Sequence, residues 1–414
     1  MSAIEGVVNN PIDVPDQRRW RALALLSIAE LLSMSLWFSA SAVVPALRIQ
    51  WQLTESQAGW LTIAVQLGFV FGTLLSALLN LADIIRARYL FAVAALLGGI
   101  TNAVFATYSN GPTTGIFLRF LTGMCLAGVY PPGMKMMATW FRRSRGMALG
   151  VLVGALTLGK ASPYLINAIG AAKWQHNVLA VSGLAIVGAL IVLFFVSDGP
   201  YVLPRARFDW QQVIKIFHNR GVRLANFGYF GHMWELYAMW TWTPVMIRAS
   251  LAARGRPGAL AEVGSFVVIG SGAIGCVVAG LIADRIGRTI VTSWAMAISG
   301  SCCLVVGLLF GGNPFVLLFV AAIWGATVVA DSAQFSTCVT ELGDQQYIGT
   351  ALTLQTCLGF LLTTVSIELI PKVVHLTSWR YAFILLALGP LFGVISMLRL
   401  RALPEAIKIA HGRR

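Results

Sequence analysis

The chain has 414 residues, of which 57% are hydrophobic and only 11% charged, and its mean hydropathy is +0.78. These figures exclude an ordinary soluble enzyme and point to an all-α polytopic membrane protein. The formal charge of +14 would suit a nucleic-acid binder, but the placement of the basic residues removes that class.

A spanning helix needs about 20 mostly apolar residues. Twelve stretches qualify, at roughly 22–47, 57–80, 88–108, 113–139, 146–170, 176–197, 222–249, 262–283, 289–311, 314–338, 348–370 and 379–400. With the N-terminus inside, twenty of the thirty Lys and Arg fall on the cytoplasmic side. Seven fall outside (Arg48, Lys173, Arg248, Arg254, Arg256, Lys372 and Arg380), and Arg119, Lys135 and Lys160 fall within spans. That asymmetry is the positive-inside pattern. It predicts a multi-pass protein of the cell inner membrane with both termini cytoplasmic, a lipid bilayer as its surroundings and no nucleic-acid partner. The organisation follows: a tail over 1–20, a six-span half over 21–197, a basic linker over 198–221, a second half over 222–402 and a tail over 403–414.

Residues 1–20 are polar, and the apolar run after them is too long for a cleaved leader, so it reads as a signal anchor that stays as the first span. That span holds Glu30 and Trp37 and is expected to end near Pro45. Thr54-Glu55-Ser56-Gln57 predicts a helix cap for the second span. In the fourth span, Arg119 is followed by Tyr130-Pro131-Pro132-Gly133, and two adjacent prolines should break the helix. The fifth span carries Gly146, Gly150, Gly154 and Gly159, which allow close approach to a neighbour, and then Lys160. Near the outer surface, Glu368 and Lys372 are spaced as a helical ion pair. Six cysteines all lie in apolar runs without metal-ligand spacing, and read as small buried side chains.

Two stretches echo each other. Glu30 to Trp37 reads ELLSMSLW and Glu235 to Trp242 reads ELYAMWTW, an offset of 235 − 30 = 205 residues. Leu81-Ala82-Asp83 and Ile282-Ala283-Asp284 repeat at nearly the same distance. Both observations suggest a duplicated half. On continuous helices, Glu30, Met34 and Trp37 would share one face, as would Glu235, Met239 and Trp242.

An ionisable group in the bilayer core costs a few kcal/mol on insertion scales, so each such group is functional or structurally paired. Glu235, with His232 one turn away, Glu30 and Asp331 are candidates for a proton or cation site. Arg119 and Lys160 are candidates for contact with an anion, and Trp37, Trp234, Tyr237, Tyr130 and Trp240 for the lining of a substrate cavity. Trp240 and Trp242 also fit an interfacial aromatic belt. No Walker A run, H-E-x-x-H site, G-x-S-x-G elbow or aspartate-rich diphosphate motif occurs, which argues against an ATP-driven pump and against an enzyme, and no cofactor is implied.

Gly280-Leu281-Ile282-Ala283-Asp284-Arg285-Ile286-Gly287-Arg288 resembles the G-x-x-x-D-R-x-G-R loop motif of the major facilitator superfamily. Its first-half counterpart keeps Asp83 but has Leu79, Ile84 and Arg86 in place of the first Gly, the Arg and the second Gly. Arg119-Phe120-Leu121-Thr122-Gly123 resembles that family's R-x-x-x-G pattern on the fourth helix. The resemblance implies two pseudo-symmetric six-helix bundles, alternating access and a substrate bound between them near the midplane. It implies a cavity lined by helices one, four, seven and ten. It also implies gating by Asp83, Asp284, Arg285 and Arg288 on the cytoplasmic face. Together these readings predict a monomeric secondary transporter of a small organic or inorganic anion with proton symport. Proton-coupled export of cationic or amphipathic compounds is the alternative.

Overall fold

The computed structural model describes residues 16–141, 145–170, 173–201, 216, 218–256, 258–344 and 347–414. The segment before residue 16, Arg142-Arg143-Ser144 and most of the 198–221 linker lie outside the described residues. Among those described, every regular element is helical. The first half contains α1 (Asp16–Met34), α2 (Ser39–Trp51), α3 (Glu55–Leu78), a single turn α4 (Leu81–Ile84), α5 (Ala87–Tyr108), α6 (Pro112–Leu126), α7 (Tyr130–Trp140), α8 (Arg145–Ala168) and α9 (Trp174–Phe195). The second contains α10 (Arg220–Ala252), α11 (Gly258–Gly270), α12 (Gly272–Ile286), α13 (Arg288–Val305), α14 (Pro314–Val328), α15 (Ser332–Leu342), α16 (Ile348–Leu376) and α17 (Leu388–Arg401).

Eleven helical stretches among the described residues are long and apolar enough to cross a bilayer. The expected seventh span is α10, which is not among them. Its 33 residues would reach about 50 Å at 1.5 Å per residue, but Arg220, Arg223, Glu235 and Arg248 dilute its hydropathy. The reason is its position. Nearly every side chain from Leu224 to Leu251 is buried against other helices, so α10 meets little lipid. Among the described residues, many large apolar side chains face outward while a set of polar and charged ones is buried within a mainly apolar core. Phe71, Phe194, Trp294 and Phe319 are exposed, while Gln66, Arg119, Lys160 and Asp331 are buried.

Four features place the site. Thr54 and Gln57 form the expected capping box, with Gln57 N donating to Thr54 Oγ1 at 3.2 Å and Thr54 N donating to Gln57 Oε1 at 3.0 Å. The double proline sits at the start of α7, and the fourth span breaks just before it, at Ala127–Val129. The tenth span breaks at Val329–Asp331. The first span also breaks, at Ser35–Phe38, and there the structure departs from the sequence reading. Met34 is the last residue of α1 and Trp37 lies in the break, so Glu30, Met34 and Trp37 do not share one helical face. The second echo, Glu235 to Trp242, is continuous helix. Pro45 does not end the span either; it lies inside α2, which runs on to Trp51.

Within the first half, α3 packs on α6, α5 on α6 and α9, and α1 on α8 and α9. Within the second, α10 is central, packing on α11, α15, α16 and α17. The two parts meet along a seam made by α8 against α11 and α12, and by α3 against α16. Gly146, Gly150 and Gly154 of the fifth span are at that seam, while Gly159 packs on the Leu31 backbone of α1. A Cβ on Gly150 would lie 2.7 Å from the Cys276 carbonyl oxygen, and one on Gly280 2.8 Å from that of Gly146. Across α3 and α16, Gln66 accepts a hydrogen bond from Thr363, and Ser56 donates to Glu368 Oε1 at 3.0 Å. Glu368 thus engages α3, and no ion pair joins it to Lys372 among the described residues.

Gly123 of α6 faces the Val65 backbone of α3 with no space for a side chain, whereas Gly183 on α9 has nothing within 4 Å of a built Cβ. Gly123→Val should therefore lower stability by about 1–3 kcal/mol through overpacking, read as a lower melting temperature in detergent. Gly183→Val should melt close to wild type. Equal melting of the two variants would contradict this packing.

Candidate functional site

The break in the first span leaves carbonyl groups without helical partners, and Arg119 supplies the missing donors. Its Nη2 donates to the carbonyls of Leu36 at 2.9 Å and Trp37 at 2.5 Å. Its Nη1 donates to Ser39 Oγ at 2.9 Å and Asn102 Oδ1 at 2.8 Å. Asn102 is oriented in turn by donating to Ser182 Oγ at 3.0 Å and to the Val178 carbonyl. An arginine can only donate, in a planar fork, which suits four acceptors converging from a broken helix and its neighbours. Every described hydrogen bond of Arg119 therefore goes to the protein, and it lines none of the described cavities.

The break delivers Trp37 to the seam, where it meets Lys160. The Lys160 ammonium lies 4.1, 4.7 and 4.8 Å from the ring centroids of Trp37, Tyr237 and Trp240. It also donates to Tyr237 Oη at 2.5 Å. Lys160 belongs to α8 and Tyr237 and Trp240 to α10, so the cation is shared across the seam. Among the described residues no acidic group forms an ion pair with it. Phe360 of α16 completes the cluster, 5.6 Å from Trp37 and 5.0 Å from Tyr237 between ring centroids. The chamber here also takes in Tyr130, Tyr229, Met233 and Ser332, and its volume is ≈ 40 Å³. That is far below the roughly 300–1,000 Å³ of ligand pockets, so in this conformation the chamber is collapsed. The first, fourth, seventh and tenth spans all reach it, as the resemblance implies, and the fifth and eleventh do too.

The carboxylates are distributed differently. Glu235 faces α13 and α14, accepting from Ser299 Oγ at 2.9 Å, Cys303 Sγ at 3.0 Å and Trp324 Nε1 at 2.5 Å. One turn before it, His232 Nδ1 lies 2.8 Å from Asp331 Oδ1, in the break of the tenth span. Glu30, fully buried on α1, has neither oxygen hydrogen bonded. Gly133 of α7 leaves space for it: a Cβ there would lie 2.5 Å from Oε2.

On the face that carries the C-terminal residues, the seam is shut. The Asp284 carboxylate rests on Gly146 in the first turn of α8, 2.8 Å from a built Cβ, where the helix dipole favours an anion. Arg288 holds Asp284 Oδ1 at 3.1 Å, Glu341 Oε1 at 3.0 Å and Gln334 Oε1 at 2.8 Å. Glu341 Oε2 also accepts from Ala410 N at 3.1 Å. Gly287 has φ +101°, a conformation open to glycine, and packs on the carbonyls of Arg413 and Arg414. Arg285 is exposed, and its carbonyl accepts from Arg413. In the first copy Asn80, at φ +49°, makes the turn. The Asp83 side chain lies outside the described residues.

Of the residues expected to line the cavity, the structure gathers Trp37, Tyr130, Lys160, Tyr237 and Trp240. Trp234 is elsewhere: its Nε1 donates to the Leu385 carbonyl at 3.2 Å and its ring packs on Gly389. The belt reading of Trp240 and Trp242 is corrected, since both are buried; Trp240 stands over Lys160 and Trp242 donates to the Ile367 carbonyl. Sequence reasoning missed Phe360, Ser299, Cys303 and Trp324. A serine or cysteine at helical spacing carries no signal until the carboxylate it faces is known.

Comparison with protein families matches residues 26–367 to the Major Facilitator Superfamily. A galacturonate transporter of Dickeya chrysanthemi is 25% identical over 181 residues, covering 43% of this chain and 51% of the relative. A 4-hydroxybenzoate transporter of Pseudomonas aeruginosa is 26% identical over 194 residues, covering 46% and 42%. A puromycin resistance protein of Streptomyces alboniger is 29% identical over 154 residues, covering 37% and 30%. The chain spans about half or less of the length of the curated relatives it matches.

Removing Arg119 should act on the fold. Arg119→Ala strands buried acceptors at about 1–3 kcal/mol each, so a clear fall in melting temperature is expected. Arg119→Lys should recover little of it, because an ammonium cannot serve four acceptors in one plane. Wild-type melting of Arg119→Ala with loss of ligand binding alone would contradict the structural role.

Proposed function

The chain belongs to the Major Facilitator Superfamily, and from that membership we propose that it is a secondary active transporter moving a small organic anion together with a proton by alternating access. It is a multi-pass membrane protein, and we take α10 as its twelfth span. The two halves then form six-span bundles over 21–197 and 222–402, and the linker and both termini lie on the cytoplasmic side of the cell inner membrane. The single observation that carries the reading is Lys160, buried in the seam with aromatic faces from both halves and with no ion-pair contact among the described residues, Glu30 being the acidic group whose charge reaches it. Two matched relatives carry the names of transporters of galacturonate and 4-hydroxybenzoate, and both of those substrates are carboxylates.

The chemistry links binding to motion. Cation–π and neutral hydrogen-bond contacts are worth about 0.5–2 kcal/mol each, whereas a desolvated ammonium–carboxylate pair is stronger. An arriving carboxylate therefore draws Lys160 off Tyr237 and Trp240, which belong to the other half, and loosens the seam as it binds. Glu30 is the proton carrier in this scheme. Protonating Glu235 would disturb three donors already aimed at it, while protonating Glu30 disturbs none. His232 and Asp331 then serve as an internal pair of the second half. Asp284 and Arg288, with Arg285 and Asp83 at the same turns, act as the cytoplasmic gate. Export of cationic or amphipathic compounds is the weaker reading, since the aromatic faces that would hold a cation already hold Lys160.

Uptake of 4-hydroxybenzoate and galacturonate into proteoliposomes under an inward proton gradient tests this. Wild type should accumulate at least one of them, and Lys160→Gln should lower its uptake at least about tenfold, the equivalent of 1.4 kcal/mol, with melting retained. Glu30→Gln should abolish accumulation against a gradient while leaving substrate exchange. Wild-type uptake by Lys160→Gln would overturn the assignment.

A further inference from the structure

A second chamber lies directly above the collapsed one, on the face away from the C-terminal residues. Its volume is ≈ 240 Å³, and α2, α3 and α8 form one wall while α10 forms the other. Two helices line both chambers. On α8, Lys160 faces the inner chamber and Tyr164, one turn on, faces the outer. On α10, Tyr237 and Trp240 face the inner chamber, and Thr241 to Arg248 the outer. Between them lies an aromatic septum built from both halves: Phe38 stands edge-on to Trp240 at 6.1 Å and stacks on Tyr237 at 6.5 Å.

The charges of the outer chamber come from both walls. Arg48 lies in the last turn of α2 and Arg248 near the end of α10, and both line the chamber. Each is held from outside it by a carboxylate, Arg48 by Glu55 and Arg248 by Glu262. Neither glutamate is part of the wall, so the ionisable side chains facing the space are the two arginines and Tyr164. Arg48 Nε is buried without a hydrogen-bond partner. Hydroxyls of Ser41, Thr62 and Thr241 add polar contacts, and Trp242 with Pro45 and Pro244 gives an apolar wall. Each guanidinium carries five N–H donors in a fork, more than its glutamate occupies, so each can also serve an anion in the chamber. The volume falls below the roughly 300–1,000 Å³ of drug-sized sites.

We propose that this outer chamber is a separate anion site, a vestibule in which a small organic carboxylate is captured between Arg48 and Arg248 before the septum opens and passes it to Lys160. The apolar wall selects an organic anion over an inorganic one. The inference rests on the anion-transport reading, and its test separates the two.

The test is calorimetric titration of the full chain in lipid nanodiscs with 4-hydroxybenzoate, and with sulfate for comparison. Lys160→Gln should keep a site for 4-hydroxybenzoate. Adding Arg48→Gln and Arg248→Gln should raise its Kd at least tenfold, and sulfate should bind at least tenfold more weakly. Because Glu55 and Glu262 would lose their partners, the same titration is run on the variant that also carries Glu55→Gln and Glu262→Gln, which leaves no unpaired charge and should give the same loss. Binding to Lys160→Gln that survives loss of both arginines overturns the vestibule, as does binding lost in Lys160→Gln alone. No binding to wild type overturns it as well, and sulfate binding as tightly would overturn the organic preference. Transport by Lys160→Gln at the wild-type rate would instead sink the transport reading, whatever the titration gives.

Discussion

The central chamber depends on one guanidinium. A helix that breaks inside a membrane frees carbonyl groups that lipid cannot satisfy, and such a break persists only where protein donors replace the lost bonds. Arg119 provides that replacement at Leu36 and Trp37. The break sets Trp37 outside the α1 helix. There the indole lies 4.1 Å from the Lys160 ammonium and 5.6 Å from Tyr237 of the other half. A buried guanidinium that lines none of the described cavities thus holds the backbone of a residue that packs on Lys160.

The two echoing octets differ in geometry as well as chemistry, the first being broken at Ser35–Phe38 and the second continuous helix. Glu30 and Glu235 occupy equivalent positions in the two octets, yet one is unpartnered beside Gly133 and the other is enclosed by a serine, a cysteine and a tryptophan. The two loop motifs diverge in the same way. The second keeps Gly280 for close approach to α8 and Gly287 for a positive φ, and couples Asp284 through Arg288 to Glu341 and the chain's last turn. The first makes its turn with Asn80. The seam is closed by backbone contact at α8 and α12, where glycines keep the cost of sliding low. Such an interface suits parts that move as bodies.

The membrane class, eleven of the spans and Lys160 with Trp37, Tyr130 and Tyr237 were legible because bilayer insertion imposes a strong composition rule and makes every buried charge conspicuous. The double proline announced the break before Tyr130, since a missing amide donor is a local property of the residue. The break at Ser35–Phe38 was not announced. Ser-Leu-Trp-Phe has no proline or glycine, and its cause, Arg119, lies more than eighty residues away and became a partner through tertiary packing. The same limit left Trp240 open between cavity and belt and hid the burial of Trp242, because a tryptophan near a span's end suits either the headgroup region or the interior. Arg48 and Arg248 read as outer-loop charges for the same reason; only the helix positions bring them onto one cavity.

The most direct test of the account is the distance from Lys160 Nζ to a bound carboxylate, measured in a structure of the protein saturated with 4-hydroxybenzoate or galacturonate, whichever it transports. The account predicts direct contact, about 2.7–2.9 Å as for charge-assisted hydrogen bonds, with the ammonium withdrawn from Tyr237. A transported carboxylate bound elsewhere, with Lys160 still enclosed by Trp37, Tyr237 and Trp240 in every conformation along the path, would contradict it.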